Sequence, residues 1–197
     1  YKVGKIHAIL PHTGACDMTV TRSGTTSRTQ LPDGTWRPAA ANEPRFTADG
    51  GILVEGASTN LVTYPDTFIN AAWTLTDATI DNNEGAGYDS PFVDANGVNL
   101  KNAYKLKATA ANGYIRLTTP LTVTAAKNYA TSIYVKRVTG TGNVSLIDIN
   151  TADRVKAITS EWTRIDYVAA AGSTSGQIGL KLATSGDEVL ICHAQLE

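Results

Sequence analysis

From residue 103 to its end, the sequence repeats one pattern, in which a short stretch of alternating apolar and polar residues is followed by a turn. In 103–109, Tyr104, Leu106 and Ala108 fall on one face and two lysines fall on the other. A period of two is typical of a β-strand with one buried face. The same character recurs in the stretches 114–118, 128–138, 144–149, 162–168, 177–183 and 189–196. Because no segment has a convincing helical period, the pattern predicts an all-β chain.

Short strands at this spacing predict an antiparallel two-sheet β-sandwich. Turns such as Gly140-Thr141-Gly142-Asn143 separate the stretches. An immunoglobulin arrangement is disfavoured because the Cys, Trp, Cys pattern of that fold is missing. The stretches 144–149 and 189–196 carry apolar residues on both faces. This feature predicts that a second layer covers them.

The first part of the chain is polar and rich in turns, which predicts an extended N-terminal arm and strap over 1–62 and a sandwich domain over 63–197. Leu31-Pro32-Asp33-Gly34 predicts a hairpin turn, because Asp-Gly tolerates the positive φ that such turns need. The arms of this hairpin are expected at 18–22 and 35–37.

The strap belongs to a stretch from Pro44 to Trp73 around which the chain is organised. Its Gly50-Gly51 turn precedes the short apolar run from Ile52 to Val54, which is buried only if it lies on something else. Two-stranded ribbons are marginally stable in water. The arm and strap are therefore expected to pack on the sandwich or on a neighbouring copy of the chain.

Several stretches resemble a segment of bacteriophage virion proteins, namely tail fibres, tailspikes and head-fibre or decoration proteins. In that family the segment looks like PRF…GLLIEE.RTNLL.YSE.F.NAAW, and here the corresponding runs are PRF at 44–46, GILVEG at 51–56, TNLVTY at 59–64 and NAAW at 70–73. Residues 20–23 with Asp33-Gly34, and the final Ala194-Gln195-Leu196-Glu197, are similar to the start and end of the same module. Gly56-Ala57-Ser58 departs from the family, which usually has an acidic residue and an arginine there.

The resemblance implies a virion structural protein that displays a jelly roll similar to carbohydrate-binding modules. It implies a place in the phage particle after synthesis in the bacterial host cytoplasm. The implied partners are copies of the same chain, as a homotrimer, other virion proteins, and host surface polysaccharide. The residues assigned to the assembly arm are Trp36, Arg45, Phe46, Ile52, Leu53 and Val54.

Composition argues against two classes of partner. Lysine and arginine total 17 against 18 acidic residues, and the net charge of -1 provides no field that would steer the chain onto nucleic acid. The sequence has no apolar run approaching the roughly 18 residues that a membrane span needs, so we expect a soluble chain without membrane insertion. Cys16 and Cys192 are too few and too far apart for a disulfide framework. Partly buried thiols are the favoured interpretation, and a single bridge is the alternative.

The sequence carries no catalytic motif, which predicts that the chain is not an enzyme. The segment from Gly172 to Gly176 has Thr at its centre, where an esterase elbow needs Ser. His7, His12 and His193 are scattered, whereas a structural zinc site needs four ligands.

The polar stretch from Asp77 to Asn102 predicts a loop and is the one place where a metal cofactor is considered. Calcium takes six to eight oxygen ligands, and the weak candidates here are Asp81, Asp89 and Asp94. The alternative is a solvated loop without a cofactor, because Asp, Asn and Gly also collect in turns.

Sugar binding by a sandwich relies on exposed aromatic rings with polar side chains beside them. The candidate ligand-binding residues are Tyr88 in the polar loop, Tyr134 on the outward face of its strand, and Trp73. Two functions remain open: a virion fibre, decoration or receptor-binding module that assembles through its arm, and a carbohydrate-binding module of a secreted or tailspike enzyme.

Overall fold

Two compact units make up the chain in its computed structural model. The smaller unit comprises residues 1–57 and 91–100, and the larger comprises residues 58–90 and 101–197. The structure describes residues 5–6, 18–19, 21, 28–52, 59–94 and 96–197.

Among its described residues, the smaller unit has two antiparallel two-stranded ribbons. β1 (Lys5–Ile6) pairs with β2 (Met18–Thr19), and β3 (Arg28–Gln30) pairs with β4 (Trp36–Pro38). The predicted turn joins β3 to β4, with Gly34 at φ +87°. The prediction that 18–22 forms the first arm of this hairpin is wrong, because β2 pairs with β1 instead.

The Gly50-Gly51 turn also forms within the smaller unit. The Thr47 amide donates to the Gly51 carbonyl at 2.9 Å, and Phe46 forms an antiparallel bridge with Ile52. Gly50 has φ +83°, a conformation that glycine adopts without steric cost. Ile52 is 47% exposed. Leu53 and Val54 lie outside the described residues.

The larger unit is built from strands β5 to β16. Their bounds are β5 Trp73–Thr76, β6 Ala78–Asp81, β7 Tyr104–Ala108, β8 Gly113–Leu117, β9 Leu121–Thr122, β10 Asn128–Thr139, β11 Val144–Ile147, β12 Asp153–Lys156, β13 Thr163–Ala170, β14 Ser175–Gly176, β15 Gly179–Leu182 and β16 Glu188–Leu196. The described residues contain one short helical segment, a 3-10 turn at Asn83–Gly85. No helix in those ranges is long and apolar enough to cross a lipid bilayer.

Ten of these strands form two five-stranded antiparallel sheets. The first sheet has the order β13-β10-β16-β7-β6, and the second has the order β12-β11-β15-β8-β5. A short pair, β9 with β14, accompanies them. The prediction of an all-β antiparallel sandwich of the jelly-roll kind is confirmed.

Side chains from both sheets meet in one core. Leu106 from the first sheet, and Ile115 and Leu180 from the second, are fully buried. Full burial of such a side chain contributes about 1.5–3 kcal/mol. The faces predicted from alternation in 103–109, 114–118 and 177–183 are the ones that enter this core.

The prediction of a single loop over residues 77–102 is wrong at its start, where β6 forms. Asp77 alone separates β5 in the second sheet from β6 in the first. It has φ +50°, which Asp tolerates better than most residues. Its carbonyl lies so close to Gly113 that a Cβ there would approach it to 2.1 Å. The chain thus changes sheets in one residue, which a composition rich in turn residues does not reveal.

Candidate functional site

The outward side of the first sheet carries aromatic, charged and amide side chains on neighbouring strands. In β10, Ile133 and Val135 face the core, so Tyr134 between them faces outward. The register places Arg164 of β13 and Cys192 of β16 on either side of Tyr134. We call this surface the Tyr134 face and define it by Asp66, Ser132, Tyr134, Lys136, Arg164, His193 and Gln195.

A β-bulge in β16 gives the face its histidine. Between Cys192 and Gln195 the register with β10 shifts, so that His193 and Ala194 together stand opposite Ile133. His193 has φ +54°, an uncommon conformation for a residue other than glycine. Bulges re-aim side chains next to functional sites, and here the bulge accounts for the position of the imidazole.

The same bulge narrows the expectation that a second layer covers 189–196, because it brings four of the apolar residues to one face. Val189 and Ile191 face the core before the bulge, and Ala194 and Leu196 face the same core after it. Strict alternation assigns these residues to opposite faces, but the extra residue brings them all to one side. The bulge therefore explains the burial of these four residues without an additional layer. Cys192, which pairs with Tyr134 on the outward side, is also fully buried and is thus covered on that side.

Asp66 anchors His193 at two points. One carboxylate oxygen accepts the His193 backbone N–H at 2.8 Å, and the other lies 3.2 Å from its Nδ1. The adjacent Pro65 carbonyl accepts the Ala194 N–H at 2.9 Å. The imidazole meets the Tyr134 ring edge to face, with centroids 6.4 Å apart and an interplanar angle of 64°. This anchoring holds the histidine beside the tyrosine.

Arg164 is held by neutral groups on β10, the neighbouring strand, and on β16, the next strand of the sheet. Its Nε donates to the Ser132 hydroxyl at 3.2 Å, and its Nη2 donates to Gln195 Oε1 at 3.4 Å. The Ser132 hydroxyl in turn donates to Gln195 Oε1 at 3.2 Å. Ser132 is 1% exposed, whereas Arg164 is exposed. The guanidinium is thus oriented at its base, and its remaining N–H donors lie at the surface.

The far edge of the same sheet carries a second polar cluster around Tyr88. The Tyr88 hydroxyl donates to Asp81 at 2.6 Å, and the Lys105 ammonium lies 3.3 Å from Asp81 and 5.5 Å from the Tyr88 ring centroid. The hydrogen bond from Tyr88 is the main cause that lowers the pKa of Asp81, and the same bond raises the pKa of Tyr88. Tyr88 is therefore already engaged by charged neighbours.

Trp73 belongs to the core. It is 6% exposed, its ring lies 4.9 Å from the Phe68 ring, and its Nε1 donates to the Tyr64 carbonyl at 3.0 Å. Because both its apolar surface and its polar atom are satisfied inside the sandwich, Trp73 does not offer a ring to a ligand. This corrects its assignment as a candidate platform.

The three carboxylates considered for calcium are each engaged by protein groups. Asp81 binds Tyr88 and Lys105 as above, and Asp89 pairs with Lys101 at 2.7 Å. Asp94 accepts the backbone N–H groups of residues 96 and 98 at 2.8 and 2.9 Å, which lowers its pKa. Among the described residues, no group of three His, Cys, Asp or Glu is placed to hold a metal ion.

The described assembly-arm residues lie in the smaller unit. The Trp36 carbonyl accepts the Val93 N–H at 2.8 Å, and Arg45 Nε donates to the Arg28 carbonyl at 2.6 Å. The Phe46 N–H donates to the Thr29 hydroxyl at 2.8 Å. These contacts give the strap and the β3–β4 ribbon a common hydrogen-bonding network.

The glycine-flanked segment 172–176 lines a cavity of about 250 Å³ with Pro120, Ile149, Asn150, Thr151 and Gln177. The described residues of the lining offer hydroxyl and amide groups but no acid, histidine or cysteine. A nucleophile and base in hydrogen-bonding reach are the signature of an esterase, and this lining lacks the base.

Sequence reasoning missed most of the Tyr134 face. Tyr134 was predicted as a candidate, but Arg164, Gln195 and the pairing of Asp66 with His193 were not. Asp66 and His193 are 127 residues apart in sequence. The alternation of apolar and polar residues in β13 could have identified Arg164, because it places this residue on the outward side.

No family profile and no curated protein matches the chain. Among solved structures, it is similar to the tandem CBM22-1–CBM22-2 domain of Paenibacillus barcinonensis Xyn10C, with 16% identity over 74% of this chain and 47% of that chain and a TM-score of 0.49. It is similar to TmCBM61 in complex with β-1,4-galactotriose (14% identity, 71% and 99%, TM-score 0.44). It is also similar to the enzymatically active domain of tailspike protein 4 of bacteriophage CBA120 (14% identity, 70% and 21%, TM-score 0.44). Likeness at these scores carries no inference about ligand or activity.

Proposed function

We propose that the larger unit is a non-catalytic carbohydrate-binding module whose binding surface is the Tyr134 face. The observation that carries this proposal is the partly exposed Tyr134 ring in the middle strands of a sheet, with an anchored histidine on one side and an oriented arginine on the other. An aromatic ring packs against the C–H groups of a pyranose, and fixed polar groups beside it select hydroxyls.

The polar neighbours of Tyr134 supply both kinds of hydrogen-bonding group. Arg164 has unused N–H donors, and Gln195 and Asp66 carry acceptor oxygens. These groups are already ordered by contacts within the protein, so less side-chain freedom is lost when a ligand binds. The face therefore suits an extended sugar chain that lies across the strands.

A glycan array with the full chain tests this proposal. We expect binding to a polysaccharide in the wild type, with a loss of at least tenfold in Tyr134→Ala. Tyr114→Ala, on the outward side of the second sheet, is the matched control and should bind as the wild type does. Equal binding by all three chains, or no glycan bound by the wild type, rejects the Tyr134 face as a carbohydrate site.

Tyr88→Ala tests how far the binding surface extends along the same sheet. Because Tyr88 is engaged by Asp81 and Lys105, we expect its removal to lower affinity less than Tyr134→Ala does. A larger loss in Tyr88→Ala would move the centre of the site to the β6 edge.

A second candidate function is that of a phage virion module that assembles through its N-terminal arm as a homotrimer. The observation that favours it is the make-up of the smaller unit, where two-stranded ribbons and a 47% exposed Ile52 occur together. Ribbons of this size are marginal without a partner surface. The resemblance to virion proteins points to sister copies as that partner.

Solution mass of the whole chain, compared with a chain lacking residues 1–43, tests the assembly proposal. We expect a trimer that dissociates when those residues are removed. If both chains are monomeric and equally stable, the arm takes no part in assembly and the virion mechanism fails.

A further inference from the structure

The cavity of about 250 Å³ is formed by three segments of the larger unit. They are the turn 149–151 between β11 and β12, the stretch 172–177 after β13, and Pro120 before β9. Its described lining carries no charged side chain, in contrast to the Tyr134 face. A lining of hydroxyl and amide groups suits an uncharged polar ligand, because a charge that is taken out of water without a partner is costly.

The cavity is well separated from the Tyr134 face. Asn150 Nδ2 donates at 2.9 Å to the carbonyl of Ala170, the last residue of β13. Arg164 lies six residues earlier on that strand. Since a strand rises about 3.3 Å per residue, the edge of the cavity is roughly 20 Å from the arginine beside Tyr134. The two surfaces can therefore be tested independently.

Hydrogen bonds within the protein hold the walls of the cavity in place. Asn150 Oδ1 accepts the Gly172 N–H at 2.8 Å, which ties the two longer segments together. Behind the turn, the fully buried Asp148 accepts the Asn150 N–H at 2.9 Å and the Nε–H of Arg154 at 2.7 Å. Walls that are already ordered lose little conformational freedom when a ligand binds.

Three polar groups of the lining have no hydrogen-bond partner among the described residues. They are the hydroxyls of Thr151 and Ser175 and the Oε1 of Gln177. Gln177 is oriented through its other amide atom, since its Nε2 donates at 2.9 Å to the Leu117 carbonyl. Thr151 has φ +63°, a conformation that is rare for a β-branched residue and costs stability. Backbone strain of this kind clusters at binding sites, and here it carries a hydroxyl in the cavity lining.

We infer that the cavity binds one uncharged sugar residue and is a second carbohydrate site, beyond the Tyr134 face. Its volume is just below the range of about 300–1,000 Å³ that is usual for pockets of drug-sized ligands, so it suits one sugar ring and not an extended chain. Two hydroxyls and an amide oxygen supply donors and acceptors for sugar hydroxyls. Pro120 and the two glycines of the lining offer apolar surface to the C–H groups of the ring. The ligand is a free monosaccharide or the end of a glycan.

NMR titration of the full chain with glucose, galactose, mannose, xylose and N-acetylglucosamine tests this inference. We expect at least one sugar to shift the amide signals of Asn150, Gly172 and Gly176, with a Kd on the order of a millimolar for so small a ligand. Glycerol is the control for a small polyol and should shift them less. A trisaccharide that ends in the same sugar separates the two sources, because it binds equally well if the ligand is a glycan end and is excluded if the ligand is a free monosaccharide. Either result supports the inference.

Thr151→Val removes one hydroxyl at nearly constant volume, and we expect Kd to rise by about threefold to tenfold, the usual effect of one hydrogen bond. Ser175→Ala should act similarly. Thr76→Val, on the outer face of the second sheet, is the matched control and should leave Kd unchanged. Thr151→Gly relieves the backbone strain, so it should also weaken binding without lowering the melting temperature. A fall in melting temperature with an unchanged Kd would mean that Thr151 serves folding alone and would overturn its role in binding.

The two carbohydrate proposals fail separately. Tyr134→Ala should leave the shifts at the cavity unchanged, and their loss in that variant would overturn the cavity site. Absence of these shifts with every sugar at concentrations well above the expected Kd, or equally tight binding of glycerol, overturns the inference and leaves the Tyr134 face as it stands. A chain that binds a monosaccharide at the cavity but no polysaccharide on the array supports the inference and rejects the Tyr134 face.

Discussion

The two outer faces of the sandwich carry similar residues but use them differently. On the second sheet, the Arg116 guanidinium lies 5.3 Å from the Tyr114 ring centroid, and Lys181 is paired with Asp153. On the first sheet, Tyr134 meets a histidine edge to face, and Arg164 is held by neutral groups. The second face thus covers its tyrosine ring with its own arginine, whereas the first face turns its arginine away from the ring toward Ser132 and Gln195.

Close strand packing shapes the second face. A Cβ on Gly179 would lie 2.2 Å from the Ile115 carbonyl oxygen and 2.9 Å from the Arg116 Cα. Glycine therefore lets β15 and β8 approach each other. The close approach of β15 and β8 thus shapes the second face, whereas the β-bulge in β16 shapes the first face.

The largest effect is expected from Gly179→Ala, which disturbs the second face alone. The added methyl must displace backbone atoms, so we expect a loss of about 3 kcal/mol in the free energy of unfolding. Urea denaturation measures this loss, with Thr76→Ala on the same sheet as a control of near-zero effect. The folded fraction should keep its affinity for the polysaccharide, and a parallel loss of affinity would mean that the two faces are not independent.

Replacing the two tyrosines compares the faces directly. We expect Tyr134→Ala to cost about 2 kcal/mol of binding free energy, or roughly thirtyfold in Kd, because central aromatic residues dominate such surfaces. Tyr114→Ala should change Kd by less than about twofold. Calorimetry with the polysaccharide found on the array provides the measurement, and the reverse ranking would assign binding to the second sheet.

Two aspartates test how much each face depends on its own carboxylate contact. Asp66→Ala removes both contacts to His193, and we expect it to lower unfolding free energy by about 1 kcal/mol and to weaken binding. Asp153→Ala breaks a partly exposed pair with Lys181, and such pairs contribute about 0–1 kcal/mol. Equal effects of the two substitutions on binding would remove the special role given to the anchored histidine.

The smallest effect concerns the edge of the first sheet and depends on pH. The pKa of Asp81 is lowered from its ordinary value of 3.8, chiefly by the Tyr88 hydroxyl. Its contribution to stability is therefore present above that ordinary value and is lost as pH falls through the lower folded value. In Tyr88→Phe we expect the pKa of Asp81 to rise toward 3.8, as followed by NMR titration. An unchanged pKa of Asp81 in Tyr88→Phe would show that Lys105, rather than Tyr88, lowers it.

The parts of the fold that sequence predicted are those with regular alternation. Leu106, Ile115 and Leu180 enter the core as expected, because a strand with one buried face repeats every two residues. The prediction failed at the start of the 77–102 segment because the four residues of β6 were grouped with the Asp-, Asn- and Gly-rich residues that follow them. The strand character of β6 comes from pairing with β7, which no local pattern contains.

Of the candidate site, the sequence predicted Tyr134. Most of the other residues were missed for a related reason. Tyr134 could be assigned from the alternation of its own strand. The grouping of Asp66, Arg164 and His193 around it depends on which strands are neighbours and on the register shift at residue 193. Neither strand order nor a bulge is visible in the spacing of apolar residues.

The extra residue in β16 constrains how this strand could change length. Deleting His193 would restore uninterrupted pairing with β10, and Ala194, Gln195 and Leu196 would keep the faces they have now, because the bulge adds one residue to the alternation. The pairs that tie residues 60 and 61 to this strand could then form as before. A chain shortened here would lose the imidazole beside Tyr134 but keep its interior, so related proteins that lack this residue should retain the present order of apolar residues after it.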